Sequence, residues 1–218
     1  MKIALHSDFR DYYDHEFCGS FETPDITLER MMENGIHRKK LIKFLHKPIF
    51  QEALNANVIT FCTKLKRLPR GCNLDIVVYL DPYKHAGEGK ILMSAAEARE
   101  KYPDHPGSFY IPHQFTTKFL QIGKLAFLLR YSSESWMSNC GDVNIELLGT
   151  TVPIHIGHPL YSIDMVGNRL MDFNTSPGLK GTPIEKLLRP EQVYNLIHEY
   201  MEKYESYPKQ GLRIKERI

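Results

Sequence analysis

The sequence predicts an α/β fold, mixed in the α+β manner, and three observations predict it. Ile76-Val77-Val78-Tyr79-Leu80 is apolar throughout, the pattern of a strand covered on both faces. Short β-rich runs recur between Phe119 and Phe173, broken by glycine and polar turns. Helical patterning closes the chain, with an amphipathic stretch from Pro190 to Tyr204. The 218 residues, 42% of them hydrophobic, suffice for one domain or two intimately packed lobes with a sizeable core.

In chain order, Lys2 to His6 reads as a short buried strand. Asp8 to Gly19 is dense in acidic and aromatic residues, either a surface turn packed on the core or a ligand-facing loop. Thr27 to Asn34 reads as a helix capped by Thr27 and stopped at Gly35. His37 to Leu45 places Leu41, Ile42, Phe44 and Leu45 on one side of a half-buried helix. Asn57 to Cys62 and Leu74 to Leu80 read as strands, the second ended by Asp81-Pro82. The loop Ala86-Gly87-Glu88-Gly89-Lys90 leads into the strand Ile91-Leu92-Met93. Ser94 with Glu97 three residues on has capping-box spacing for the next helix, which ends near Tyr102-Pro103. Asp104 to Gly107 is the candidate lobe boundary. This divides the chain into an opening segment, 1–35, and two lobes, 36–107 and 108–218. Phe119 to Tyr131 reads as two strands joined at Gly123-Lys124, followed by strands at Val143 to Leu148, Tyr161 to Val166 and Arg169 to Phe173.

Composition excludes some classes. A net charge of +2 does not by itself argue for nucleic acid or membrane. Basic clusters at Arg38, Lys39, Lys40 and Lys43, at Lys64, Lys66, Arg67 and Arg70, and in the tail at Lys209, Arg213, Lys215 and Arg217 keep a nucleic-acid-associated enzyme or adaptor as one alternative. Cys18, Cys62, Cys72 and Cys140 show no zinc spacing and read as thiols in a reducing compartment. No signal peptide and no apolar run of ~20 residues is visible. The expected location is the cytoplasm, the host's if the chain is viral, with no membrane partner.

Chemistry concentrates between Ser162 and Gly178. Asp164 lies on one strand, and Asp172 and Asn174, two apart and so on one face, lie on the next. Carboxylate and amide oxygens are the hard ligands magnesium shares with nucleotide phosphates. The register sets a condition. A strict two-residue turn at Gly167-Asn168 would place Asp164 and Asp172 on opposite faces, so the site requires a bulge or a three-residue loop. Val166-Gly167-Asn168, with Asn168 left-handed, is the geometry expected.

Asp164 followed by Asp172-Phe173-Asn174-Thr175-Ser176-Pro177-Gly178 resembles the ATP-grasp ligases, D-alanine–D-alanine ligases among them. These carry an acidic residue on one strand and Glu-x-Asn-Thr-x-Pro-Gly on the next. The resemblance runs from about Arg38 to Pro183 and is specific in its last part. It implies a compact fold of two small lobes, each a sheet flanked by helices, with a nucleotide cleft between them. It implies Asp164, Asp172 and Asn174 as ligands of Mg2+ (or Mn2+) on ATP, and Gly178 as backbone close to an acyl phosphate. Gly87, Gly89 and Lys90 resemble the family's phosphate-covering loop. Arg130, ending a strand pair that begins at Ile122, would stabilise charge on the transferring phosphate, and Asn139 falls in a polar stretch near the nucleotide. The implied activity joins a carboxylate to an amine, on small-molecule or peptide substrates, and a homodimer is compatible with it. Two departures stand out. Asp172 replaces the family's Glu, and the strand from Ile76 to Leu80 lacks the usual nucleotide-binding lysine, for which Lys84 is the nearest substitute. Those departures favour the other alternative, a non-catalytic binding protein on a degenerate scaffold. His85, His113, His155 and His158 read as loop histidines, and Cys140 as a buried thiol.

Overall fold

In the computed structural model, residues 3–5, 26–28, 38–84, 87–138, 140–175 and 177–205 are described. The run Asp8 to Gly19, His85, Asn139, Ser176 and the tail from Lys209 lie outside them. The chain begins with β1 (Ile3–Leu5) and β2 (Ile26–Leu28), which pair in parallel. Thr27 therefore sits in a strand, and the rest of the expected helix, residues 29–34, lies outside the described residues. Two neighbouring β-branched residues and a partner strand outweigh the capping signal.

Then come α1 (Arg38–Leu45), α2 (Pro48–Ala53), β3 (Asn57–Val58), β4 (Phe61–Cys62) and a 3-10 turn (Leu65–Arg67). After these follow β5 (Asp75–Tyr79), β6 (Lys90–Ser94), α3 (Ala95–Lys101) and β7 (Gly107–Phe109). The expected strand from Asn57 to Cys62 is split. β3 joins one sheet and β4 another, with the Ile59 amide bonded to Leu170 and the Thr60 carbonyl to Phe109. That run is the crossing between two sheets. The Ser94 hydroxyl accepts from the Glu97 amide at 3.3 Å, as the capping-box spacing expects.

The second half is β8 (Phe115–Ile122), β9 (Leu125–Ser132), β10 (Asn144–Thr151), β11 (Leu160–Val166), β12 (Arg169–Thr175), α4 (Ile184–Leu187) and α5 (Pro190–Glu205). Two sheets organise the molecule. The smaller has the order β4-β7-β5-β6, and the larger β10-β9-β8-β11-β12-β3, antiparallel except where β3 meets β12. Because β7 pairs with β5, the smaller sheet extends to Phe109, past the expected boundary at Gly107.

Alternation assigns each face of the larger sheet. Phe119, Tyr161, Ile163 and Phe173 pack with Leu41, Ile42, Leu45 and Phe50 of α1 and α2. Leu120, Ile122, Leu129 and Leu160 on the opposite face pack with Ile184 of α4 and Val193, Ile197 and Met201 of α5. In the smaller sheet Ile76 and Val78 pack with Leu65, Ala95 and Ala98, so β5 is buried on both sides as its uniform apolarity requires. Past Leu120 and Leu160 the same face carries Lys118, Ser162 and Asp164. Among the described residues no helix is long and apolar enough to cross a membrane.

Candidate functional site

The β11–β12 hairpin decides whether two aspartates can act together. Val166 pairs directly with Arg169, so Gly167-Asn168 is a strict two-residue turn. Gly167 has a φ of +53°, at the first central position, where a type II′ turn places glycine. Asn168 is not left-handed, so the expected three-residue loop is corrected. The other device supplies the register. The pairing shifts between Asp164 and Met165, leaving Met171 as an extra residue on β12. Leu170 and Phe173, three apart, consequently both face the α1 core, while Met171 and Asp172 both line the cleft. Asp164 stands directly opposite Asp172, and Asn174 lies on the same face opposite Ser162.

Like charges directly opposite on neighbouring strands destabilise a sheet. Two cations offset this. Lys118 of β8 pairs with Asp164 across the strands, its Nζ 3.1 Å from Oδ1. Arg38, at the start of α1, places a guanidinium nitrogen 2.6 Å from Asp172 Oδ2. β3 covers β12 only at Arg169 and Leu170, so the strand edge beside Asp172 is open to a side chain arriving from α1. The result is a row: Lys118, Asp164, Asp172, Arg38. Arg38 is only 2% exposed and also donates to the Lys84 carbonyl at 3.0 Å, and its guanidinium lies 4.9 Å from the centre of the Tyr79 ring. Burial works against the charge of Arg38 and of Lys118. The neighbouring Asp172 and Asp164 more than offset it, so both cations are held more firmly than usual.

The row opens into a cleft of about 90 Å³ between the sheets, lined by Tyr79, Lys90 and Ser108 from one and by Thr116, Asp164 and Asp172 from the other. The Lys90 amine is pushed down to about 8, by burial and then by Arg38. Tyr110 and Trp136 meet edge to face at 5.9 Å at the aromatic end, where His113 Nε2 is 3.2 Å from the Ser138 hydroxyl.

The other expected residues fall as follows. Gly87 lies against Cys140 Sγ and the Met137 methyl, and the Gly89 carbonyl accepts the Leu80 amide. Cys140 is half-buried rather than buried. Lys84 contributes its carbonyl to Arg38, but its ammonium, 3.5 Å from Glu88, is exposed. Arg130 lies on the opposite face from Asp164, beside Thr117 rather than Lys118, and pairs with Glu146 at 3.2 Å. Gly178 is exposed and, with Asn174, does not line the cleft. Of the basic residues set apart in the sequence, Lys39, Lys40 and Lys43 are exposed, while Lys64 and Lys66 pair with Asp104. Sequence reading passed over Arg38 and Lys118 as site residues. Each carried a signal: Arg38 is three and four residues before Leu41 and Ile42 on the buried helix face, and Lys118 alternates with Leu120 and Ile122.

The donor set suits a divalent ion shared with a ligand. Two carboxylates on one face, with an amide two residues on, offer the hard oxygens magnesium takes, phosphate oxygens and water completing the shell. Among the described residues no three His, Cys, Asp or Glu side chains converge, so an all-protein metal cage is not formed there.

No family model matches the chain, and none of the curated proteins matches it. Solved structures that resemble the chain in part include ATP-grasp ligases. D-alanine–D-alanine ligase from Bacillus anthracis, complexed with ATP, is 12% identical with a TM-score of 0.47, over 81% of this chain and 71% of that one. The RiPP-associated ATP-grasp ligase of Chryseobacterium gregarium, in complex with ADP and a leader and core peptide, is 10% identical with a TM-score of 0.47, over 88% and 67%. The macrocyclase MdnC of Microcystis aeruginosa, bound with its precursor peptide, is 11% identical with a TM-score of 0.45, over 79% of this chain and 63% of the macrocyclase. Each likeness is partial, with a TM-score below 0.5.

Proposed function

We propose that the protein is an ATP- and Mg2+-dependent carboxylate–amine ligase working through an acyl phosphate. The observation that carries the reading is the pairing of Asp164 with Asp172 on one face of a cleft also lined by Arg38 and Lys90, with Lys118 paired to Asp164 beside it. Two carboxylates placed side by side cost stability where no cation neutralises them, and such clusters of charge concentrate at functional sites. Asp164, Asp172 and Asn174 would hold the divalent ion, which when bound neutralises phosphate charge. Lys90, with Arg38 and Lys118 behind the aspartates, supplies positive charge to the phosphates. Tyr110 and Trp136 offer an aromatic surface for the base.

The carboxylate oxygen of one substrate attacks the γ-phosphorus and ADP leaves. The amine nitrogen of the second attacks the acyl carbon, phosphate leaves, and the nitrogen loses a proton. These residues contribute mainly positioning and charge neutralisation. A small-molecule or peptide carboxylate is the substrate class, peptides being what two of the similar structures hold.

A thermal-shift titration tests the reading. ATP with Mg2+ at ~100 times its Kd stabilises by about 2.7 kcal/mol, and the gain depends on the ion. Asp172→Asn loses the Mg2+-dependent part. Failure of ATP and Mg2+ together to raise the Tm of the wild type rejects the nucleotide site. A second reading, a binding protein without turnover, is favoured by the cations already seated on both carboxylates. ATP stabilisation indifferent to Mg2+ and to Asp172→Asn supports it.

A further inference from the structure

The ion pair between Arg38 and Asp172 is placed where the divalent ion of the proposed reaction has to bind, and this inference rests on that proposal. Asp172 Oδ2 is 2.6 Å from the Arg38 guanidinium, and its Oδ1 accepts the Phe173 amide at 3.1 Å. Both carboxylate oxygens are thus engaged before any metal arrives. Arginine keeps its proton in proteins, so deprotonation offers no way out of the conflict between guanidinium and metal. The side chain must yield instead. It is anchored at a second point, where it donates to the Lys84 carbonyl at 3.0 Å and where its own backbone amide donates to Pro82 at 3.2 Å. Arg38 therefore ties the turn after β5 to the metal strand β12, and it borders the same cleft as Lys90 and Tyr79.

We infer that Arg38 and the divalent ion compete for Asp172, so that Arg38 sets the metal affinity of the site and turns its guanidinium to the nucleotide phosphates when the ion takes the carboxylate. Arg38 acts here as a positioning residue. It keeps the adjacent aspartates neutralised and makes tight metal binding conditional on a phosphate that gives the displaced guanidinium a new partner. The site then discriminates against metal alone and in favour of metal with nucleotide.

Mn2+ binding followed by electron paramagnetic resonance tests this without any turnover. In the wild type Mn2+ binds weakly alone and more tightly with a non-hydrolysable ATP analogue. In Arg38→Gln binding of Mn2+ alone tightens about tenfold, a small part of the repulsion between close charges at an effective dielectric of ~20, and the gain from the analogue shrinks. Arg38→Lys, which keeps the charge, stays near the wild type. A merely structural role for Arg38 would weaken metal binding, not strengthen it. Unchanged or weaker binding of Mn2+ alone in Arg38→Gln, with the wild type still binding Mn2+ and analogue together, overturns the competition and leaves the proposed site standing. No Mn2+ binding by the wild type under either condition overturns both. A second readout needs no Arg38 variant. In fluorotyrosine-labelled wild type, the Tyr79 signal, assigned by its loss in Tyr79→Phe, shifts on adding Mg2+ with the analogue as the guanidinium leaves its ring. A Tyr79 signal that stays put while the ion binds also overturns the proposal.

Discussion

Removing the charge of Asp172 strands a buried guanidinium, and the cost can be worked from the structure. Arg38 is 2% exposed and Asp172 22% exposed in their side chains. Breaking a fully buried pair by deleting one partner costs ~3–5 kcal/mol. Here Asp172 is partly hydrated, and Asn keeps an oxygen to accept from Arg38, so Asp172→Asn should cost about 2–3 kcal/mol, or roughly 4–12 °C in Tm for a chain of this size. Arg38→Gln should cost less, about 1–2 kcal/mol, because the aspartates left facing each other reach solvent. The double variant has neither a stranded cation nor that repulsion between carboxylates. It should be more stable than the two losses added together, by about 1–2 kcal/mol. Urea unfolding followed by circular dichroism measures all four proteins. A coupling within ~0.5 kcal/mol of zero refutes the pair as the source of order at the site.

Three further outcomes follow from other contacts. Gly123 has a φ of +56°, and a Cβ there would lie 2.2 Å from the Leu196 carbonyl oxygen of α5, so Gly123→Ala should lose more than the ~1–3 kcal/mol of backbone strain alone, read by chemical denaturation. A loss under that range means that α5 is not seated on the β8–β9 turn. His158 is buried and its imidazole is pushed down to about 4, so only the unfolded chain takes up its proton as pH falls from about 6.5 to about 4. Stability should be independent of His158 above pH 6.5 and fall through that window by about 3 kcal/mol, a slope His158→Phe removes. The Lys90 amine, held at about 8, should lose its charge as pH rises past that value, so nucleotide affinity declines above pH 8 in the wild type. Lys90→Gln binds more weakly at pH 7 and shows no such limb. A limb that persists in Lys90→Gln assigns the titration elsewhere.

The sequence by itself determined most of the local structure. Uniform apolarity marked β5, the Ser94 and Glu97 spacing marked α3, and the glycines at 123 and 167 marked two hairpins, because each signal lies within one turn or one strand. It also marked Asp164, Asp172 and Asn174 and stated the register they need. How that register is met was not legible there. A bulge at Met171 and a three-residue loop at Asn168 satisfy the same pattern, and the pairing of β12 with β11 chooses between them. Position along the strand told nothing of Arg130, which alternation turns to the far face once β8 and β9 pair. Most of all, only the tertiary structure assembled the row of charges. Arg38 and Asp172 are 134 residues apart, brought together because α1 buries its apolar side against Phe173 and leaves the edge of β12 open. Electrostatic pairing acts through space and has no period along a chain, so the cations that hold the two aspartates side by side appear only when the sheet is formed.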